Sequence, residues 1–196
     1  MRITYLALAA LFASATGGWA QEEGQAPAEH RVHQGFWIGG GLGYGSVHPT
    51  CDGCGSTDSE GGLSGLLRLG GTASEKLLYG IESNGWFKNT GGVDNTVGNI
   101  SAALYFYPNP KSGVFLKGGL GVAGYEASDG TNKVEGYGLG LMGGLGFDIP
   151  IGSHTAITPV GTLTYGDVGN LSFHGQSVPA GWKQTLVQFA LSISAY

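Results

Sequence analysis

From Gly35 to the C-terminus at Tyr196, large apolar residues recur at alternate positions, and the positions between them are mostly glycine or polar. Period two is the repeat of an extended strand, whose side chains point in turn to opposite faces. In Gly35–Ser46, Phe36, Ile38, Leu42 and Tyr44 oppose Gly39, Gly41, Gly43 and Gly45. Gly62–Gly71 sets Leu63, Leu67 and Leu69 against Ser64, Arg68 and Gly70, and Leu77–Phe87 sets Tyr79, Ile81 and Phe87 against Gly80, Glu82, Asn84 and Trp86. In Val97–Tyr107, Ile100, Ala102, Leu104 and Phe106 oppose Asn99, Ser101, Ala103 and Tyr105. Gly113–Tyr125 sets Val114, Leu116, Leu120 and Val122 against Lys117, Gly119 and Gly121. Gly136–Ile149 sets Leu139, Leu141, Leu145 and Phe147 against Gly138, Gly140, Gly144, Gly146 and Asp148. His154–Tyr165 has ambiguous parity and contains Pro159, which removes a ladder donor. Lys183–Tyr196 sets Val187, Phe189, Leu191 and Ile193 against Gln188, Ala190, Ser192 and Ser194. The strand count, eight, is even.

Glycine supplies 39 of the 196 residues, against an average usage of about 7%. Collagen would give that excess a three-residue period, and disorder would pair it with proline and charge. Proline is only 7, charged residues are 12% and hydrophobic residues are 41%. So few charges cannot clothe a soluble domain, and so much glycine weakens any long helix. A formal charge of −5 and a pI near 5.4 exclude a nucleic-acid binder, which needs a basic face.

The N-terminus reads as a signal peptide over residues 1–20: Arg2 starts it, Ile3 to Ala15 is apolar, and Gly18-Trp19-Ala20 supplies small residues at the two positions that a signal peptidase reads. Residues 21–34, QEEGQAPAEHRVHQ, read as a flexible leader, and 35–196 as one domain. No apolar run reaches the length of a transmembrane helix.

The connections alternate in length. Thr72–Lys76, Pro108–Ser112 and Pro150–Ser153 are short, whereas Val47–Gly61, Lys88–Thr96, Glu126–Glu135 and Gly166–Trp182 are longer and polar. Short turns at one end and long loops at the other, joined by strands that alternate apolar and polar, predict an eight-stranded antiparallel up-and-down transmembrane β-barrel. A bilayer leaves no alternative for a chain without a spanning helix, because every backbone polar group must be paired internally and closure removes the sheet edge. A soluble barrel would carry charge on its outer face. Here Arg68, Glu82, Asn84, Asn99, Lys117 and Gln188 share the glycine parity and therefore line the inside.

GFWIGGGLGYG at 35–45, ALYFYPNPKSGVFLKGGLGVAGYE at 103–126 and a closing strand that ends on Tyr196 resemble the small eight-stranded outer membrane β-barrel domain family, similar in architecture to the OmpA barrel. The likeness covers 35–196. It implies an outer membrane location, contact with outer membrane lipid, and recognition of the aromatic C-terminal residue by the barrel assembly machinery. Tyr196 matches that signal but lies on the parity opposite to Phe189, Leu191 and Ile193, which implies a bulge near Ala195.

Gly119–Gly124 and Gly138–Gly143 both spell GxGxxG, but a dinucleotide site needs a strand that turns into a helix, and both copies lie within period-two strands. Cys51 and Cys54 form the only cysteine pair and in an exported protein read as a small disulfide at a loop tip. The alternative is zinc held by His48, Cys51 and Cys54 with Asp52 or Asp58. Asp167, Ser172, His174 and Ser177 permit a lipid hydrolase to be written down, without the spacing that places a nucleophile on its base. The expectation is therefore no catalytic residue, no cofactor and no metal.

Arg68 and Glu82 fall opposite one another on adjacent strands and predict a lumenal polar pair, with Lys117 elsewhere on the inner wall. An eight-stranded barrel is just wide enough to be filled by its side chains, so the lumen is expected to be mostly filled. The long loops carry Asp52, Asp58, Glu60, Asp94, Glu126, Asp129, Glu135 and Asp167 against Lys88, Lys133 and Lys183, an acidic rim open to an extracellular ligand. The expected role is structural or surface interaction. A narrow channel or carrier for small hydrophobic molecules is the alternative, and a lipid-modifying hydrolase the second.

Overall fold

The computed structural model describes residues 35–54, 58–173 and 175–196; the expected signal peptide, the leader and His174 lie outside the described residues. The strands are β1 (Phe36–Thr50), β2 (Glu60–Ser74), β3 (Leu77–Thr90), β4 (Val93–Phe106), β5 (Val114–Ser128), β6 (Lys133–Phe147), β7 (Ile149–Pro150), β8 (Thr155–Phe173) and β9 (Gln176–Ala195). β7 is a two-residue strand that pairs with β8. The other eight form an antiparallel meander in which β6 pairs β8, β8 pairs β9 and β9 pairs β1, which closes the ring. Closure pairs the last free edge, so no ladder is left open within the wall.

The parity assignments hold in β1 to β6 and β9. Outward residues such as Leu42, Ile100, Leu145 and Phe189 are exposed, whereas inward residues such as Trp37, Arg68, Glu82, Asn99, Lys117 and Gln188 are buried. β8 resolves the strand of ambiguous parity: Pro159, Leu163 and Tyr165 point outward, and Thr158, Val160, Thr162 and Thr164 point inward.

One expectation is corrected. Gly166–Trp182 is not a loop, because β8 and β9 run on as a paired hairpin to Phe173 and Gln176. Register shifts at Asp167/Gly169 and Gly169/Leu171 interrupt the ladder there, and Gly169 has a φ of 70°. The first shift sets two residues of β8 against one of β9 and flips the parity beyond it, and the second leaves residues of β9 unpaired, so the alternation that marks a strand disappears from the sequence. Two other long connections also shrink, though over unbroken ladders, to residues 91–92 between β3 and β4 and 129–132 between β5 and β6. The wall therefore rises at this end in hairpins. The opposite end keeps short turns, one of them a 3-10 turn at Pro110–Ser112 capped by Asn109.

The exposed apolar residues make a continuous belt with aromatic rings near both edges. Phe36, Tyr79, Phe106 and Phe147 stand toward the short turns, and Tyr44, Phe87, Tyr137 and Tyr165 toward the hairpin ends. Phe36 and Tyr44 are eight residues apart on one strand, about 27 Å at 3.4 Å per residue. At the usual barrel tilt of about 40° the two rings stand about 21 Å apart along the barrel axis, within the scale of an apolar band about 25 Å tall flanked by aromatic girdles. Such a surface is stable against lipid and not against water.

Candidate functional site

The interior consists of a polar band between two apolar plugs. The plug at the short-turn end gathers Trp37, Leu66, Leu78, Ala103, Tyr105, Tyr107, Phe115, Met142, Val160 and Ala190, with Tyr196 packed against it. Trp37 meets Tyr105 edge to face at 5.0 Å, and Tyr107 lies 5.2 Å from Phe115. The buried Asp148 carboxylate accepts hydrogen bonds from Tyr107 (2.8 Å), Thr158 (2.6 Å) and Tyr196 (2.6 Å). The plug at the hairpin end is smaller: Val47, Trp86, Val97 and Leu186, with Tyr125 against them. Above it Trp182 stacks on Tyr125 at 4.3 Å and donates to Gln184.

Between the plugs, Glu82 accepts from Asn84 (3.0 Å), from the Tyr105 hydroxyl (2.7 Å) and from the Lys117 ammonium. A carboxylate with its side chain wholly out of water is tolerable only when paired and hydrogen-bonded, and both ends of this ion pair are fully covered. Arg68 is opposite Glu82 in the β2–β3 register, but the ion-pair partner of Glu82 is Lys117, reaching from β5 across β4. Arg68 turns the other way. Its guanidinium donates to Ser194 (2.8 Å) and Ser192 (3.3 Å) on β9 and packs over the Phe115 and Tyr105 rings.

That reach is possible because β1, which separates β2 from β9, presents glycines inward. A Cβ on Gly39 would meet the Arg68 side chain at 3.0 Å and Ser194 at 2.8 Å. Gln188 on β9 spans the same floor in reverse and donates to the Gly65 carbonyl on β2 at 3.2 Å. Two side chains of opposite direction thus strap the seam where the barrel closes.

Tyr196 requires a second correction. No register shift occurs near Ala195, which pairs both Ile38 and Thr155. Tyr196 simply continues the inward parity, and its hydroxyl is held by Asp148. The aromatic C-terminal residue thus belongs to the plug and not to the lipid-facing girdle. Sequence reading placed Asp148 and Tyr105 on the inner face but missed the plug; Trp37, Tyr105 and Phe115, all large residues at inward positions, were the signal.

Cys51 and Cys54 are joined by a disulfide, so neither supplies a thiolate to zinc, and His48 instead contacts Ser59 at 3.3 Å. The bridged turn docks on β9, where the Asp52 N–H donates to the Ala180 carbonyl at 2.9 Å. Among the described residues no cluster of His, Cys, Asp or Glu could hold a metal. Ser172 and Ser177 are opposed near the hairpin tip, and Asp167 faces Lys183 lower on it. Five residues of extended chain separate Asp167 from Ser172, roughly 16 Å, which no hydrogen bond bridges. Both GxGxxG runs lie inside β5 and β6.

On the rim, Glu60 pairs with Lys88 at 3.2 Å, and Glu126 and Glu135 share Lys133 at 2.9 and 2.8 Å. Asp52, Asp58, Asp94, Asp129 and Asp167 remain exposed. Hydrogen bonds from the side chain and backbone of Asn132 and from the Thr131 backbone hold the Asp129 carboxyl down at about 2.

No family model and no curated protein matches the chain. Solved structures do. The attachment invasion locus protein Ail of Yersinia pestis is similar with a TM-score of 0.57 and 14% identity, over 82% of this chain and 99% of that one. Neisserial surface protein A gives 0.55 and 13%, over 84% and 99%. Ail has also been solved with the heparin analogue sucrose octasulfate, and that structure aligns at 0.55. The fold is that of the eight-stranded β-barrels of the outer membrane type.

Proposed function

We propose that this protein is a non-conducting outer membrane barrel whose work is done by its acidic rim, as a surface-interaction scaffold. The observation that carries this reading is the occupied interior: two side-chain plugs, with a buried polar band between them that holds the Lys117–Glu82 ion pair, support a lumen closed to solutes. The hairpin end remains available to partners. Loops and hairpin tips on a rigid wall are the usual seat of binding. The attachment locus protein and the surface protein of the same fold support a surface role.

The rim chemistry selects the partner. Five exposed aspartates favour a cationic segment of an extracellular protein and disfavour a polyanion of the kind seen with Ail. Binding of polylysine and of heparin to barrels in neutral vesicles, measured against salt, tests this. Salt-sensitive polylysine binding that weakens at least several-fold in a triple Asp52→Asn, Asp58→Asn, Asp167→Asn variant supports the proposal. Heparin binding without polylysine binding contradicts it. Among the described residues no observation favours a carrier or hydrolase role: side-chain plugs occupy both ends of the interior, and Asp167 lies apart from Ser172 along β8.

A further inference from the structure

At the hairpin end the polarity of the wall inverts. Through the bilayer the strands present apolar side chains outward, but past the girdle ring Tyr137 the outward residues of β5 and β6 are Glu126, Lys133 and Glu135, joined by ion pairs. Such charge places the outer surface there in water. The inward residues of the same stretch are Ala127 and Val134, and the ladder carries their row on to Phe173 of β8. Leu171 shares that face: a Cβ on Gly136 would meet the Leu171 side chain at 2.8 Å and that of the buried Val168 at 2.6 Å. Val178 of β9 is opposite Leu171. Phe173 and Val178 are 41% and 48% exposed, on a side of the wall that lipid does not reach. Apolar surface kept in water on a concave face marks a contact site.

The opposite side of the mouth is polar. The same ladder row runs back from Val134 and Ala127 to Asn95 and Lys88. Lys88 pairs at 3.2 Å with Glu60, and the Glu60 side chain keeps 46% of its surface in water. Between the two sides lies the Trp182–Tyr125 stack, whose Tyr125 hydroxyl donates to Asn95 at 3.3 Å. Asp52, in the disulfide turn, sits against Gly181 beside this floor, where a Cβ on Gly181 would overlap its carboxylate. We propose that the mouth docks an amphipathic cationic peptide segment of an extracellular partner, with an aliphatic or aromatic side chain on Val178, Phe173 and Leu171 and a lysine or arginine on Glu60 and Asp52. Charge complementarity selects this occupant, because Asp58, Asp94, Asp129 and Asp167 are exposed around the same rim. The proposal rests on the reading of the rim as the binding end and adds an apolar contact that a uniformly charged ligand cannot make.

The test compares short peptides on the barrel in phosphatidylcholine nanodiscs, with protein-free discs subtracted: alternating leucine and lysine, alternating leucine and serine, and polylysine with the same number of lysines. The leucine–lysine peptide should bind at least several-fold more tightly than either of the others. Val178→Ser and Phe173→Ser, both at exposed positions and each checked for folding by circular dichroism, should remove its advantage over polylysine and leave polylysine binding unchanged. Glu60→Gln combined with Asp52→Asn should remove its advantage over leucine–serine. Equal binding of the two cationic peptides, or an advantage that survives in either folded serine variant, overturns the proposal. Leucine–serine binding as tight as leucine–lysine binding also overturns it and assigns the wall to neutral apolar ligands. Failure of polylysine to bind while leucine–lysine binds counts against the rim reading alone, whereas equal binding of the two, lost in the triple aspartate variant, counts against the apolar wall alone.

Discussion

Two populations of glycine occupy opposite faces of the same wall, and they have different tolerances. On the inner face, a Cβ on Gly43 would come within 2.6 Å of the Ala190 Cα and overlap the Phe189 carbonyl, and one on Gly121 would do the same to Ser101 and Ile100. On the outer face, a Cβ on Gly65, Gly98, Gly118 or Gly143 meets its nearest atom only at 3.6 to 4.0 Å. The inner glycines are obligatory because coiling into a narrow ring drives adjacent strands together on the concave side. At Gly43 and Gly121 the obstacle is the neighbouring backbone, whereas at Gly39 it is the Ser194 and Arg68 side chains. Tight coiling and a filled lumen are thus one property.

The largest effect expected from breaking the inner face comes from its charges. Lys117→Met leaves Glu82 buried without its counter-ion and should cost about 3–5 kcal/mol, read as a shift in urea unfolding of the micelle-folded barrel. Next comes the glycine contrast. Gly43→Ala should cost about 1–3 kcal/mol through forced backbone movement, while Gly118→Ala stays within about 0.5 kcal/mol; equal costs for the two would remove the distinction between faces. Tyr196→Phe deletes one of three hydroxyls on Asp148 and should cost about 1.5 kcal/mol. A lipid-facing Tyr196 would predict almost no change.

The smallest effect lies on the rim, beyond both faces. The Asp129 carboxyl is depressed from 3.8 to about 2 by its bonds to Asn132 and Thr131. A depressed acid stabilises above its unfolded value and loses that stabilisation as pH falls through the folded one. The turn at residues 129–132 should therefore keep its Thr131 and Asn132 amide shifts down to about pH 4 and lose them toward about pH 2, as NMR titration can follow.

Most of the wall was legible from parity alone, since each of β1 to β6 and β9 carries a run of alternating residues. β8 was not, for two reasons: Pro159 and Gly161 take outward positions that would otherwise be large and apolar, and the bulges near Gly169 reset the alternation. Lumen residues were legible as a set but not as pairs. Arg68 and Glu82 are opposite in register, yet which strand a long side chain reaches depends on where neighbouring side chains are missing, as over Gly39. Tyr196 shows the same limit, because its hydroxyl partner Asp148 is 48 residues away.

Single-channel recording of the folded barrel in a planar bilayer tests the filled lumen most directly. The expected result is silence at ordinary voltages and salt, with the Trp37 and Trp86 plugs intact. Reproducible conductance steps from the unmodified protein would contradict it and return transport to first place.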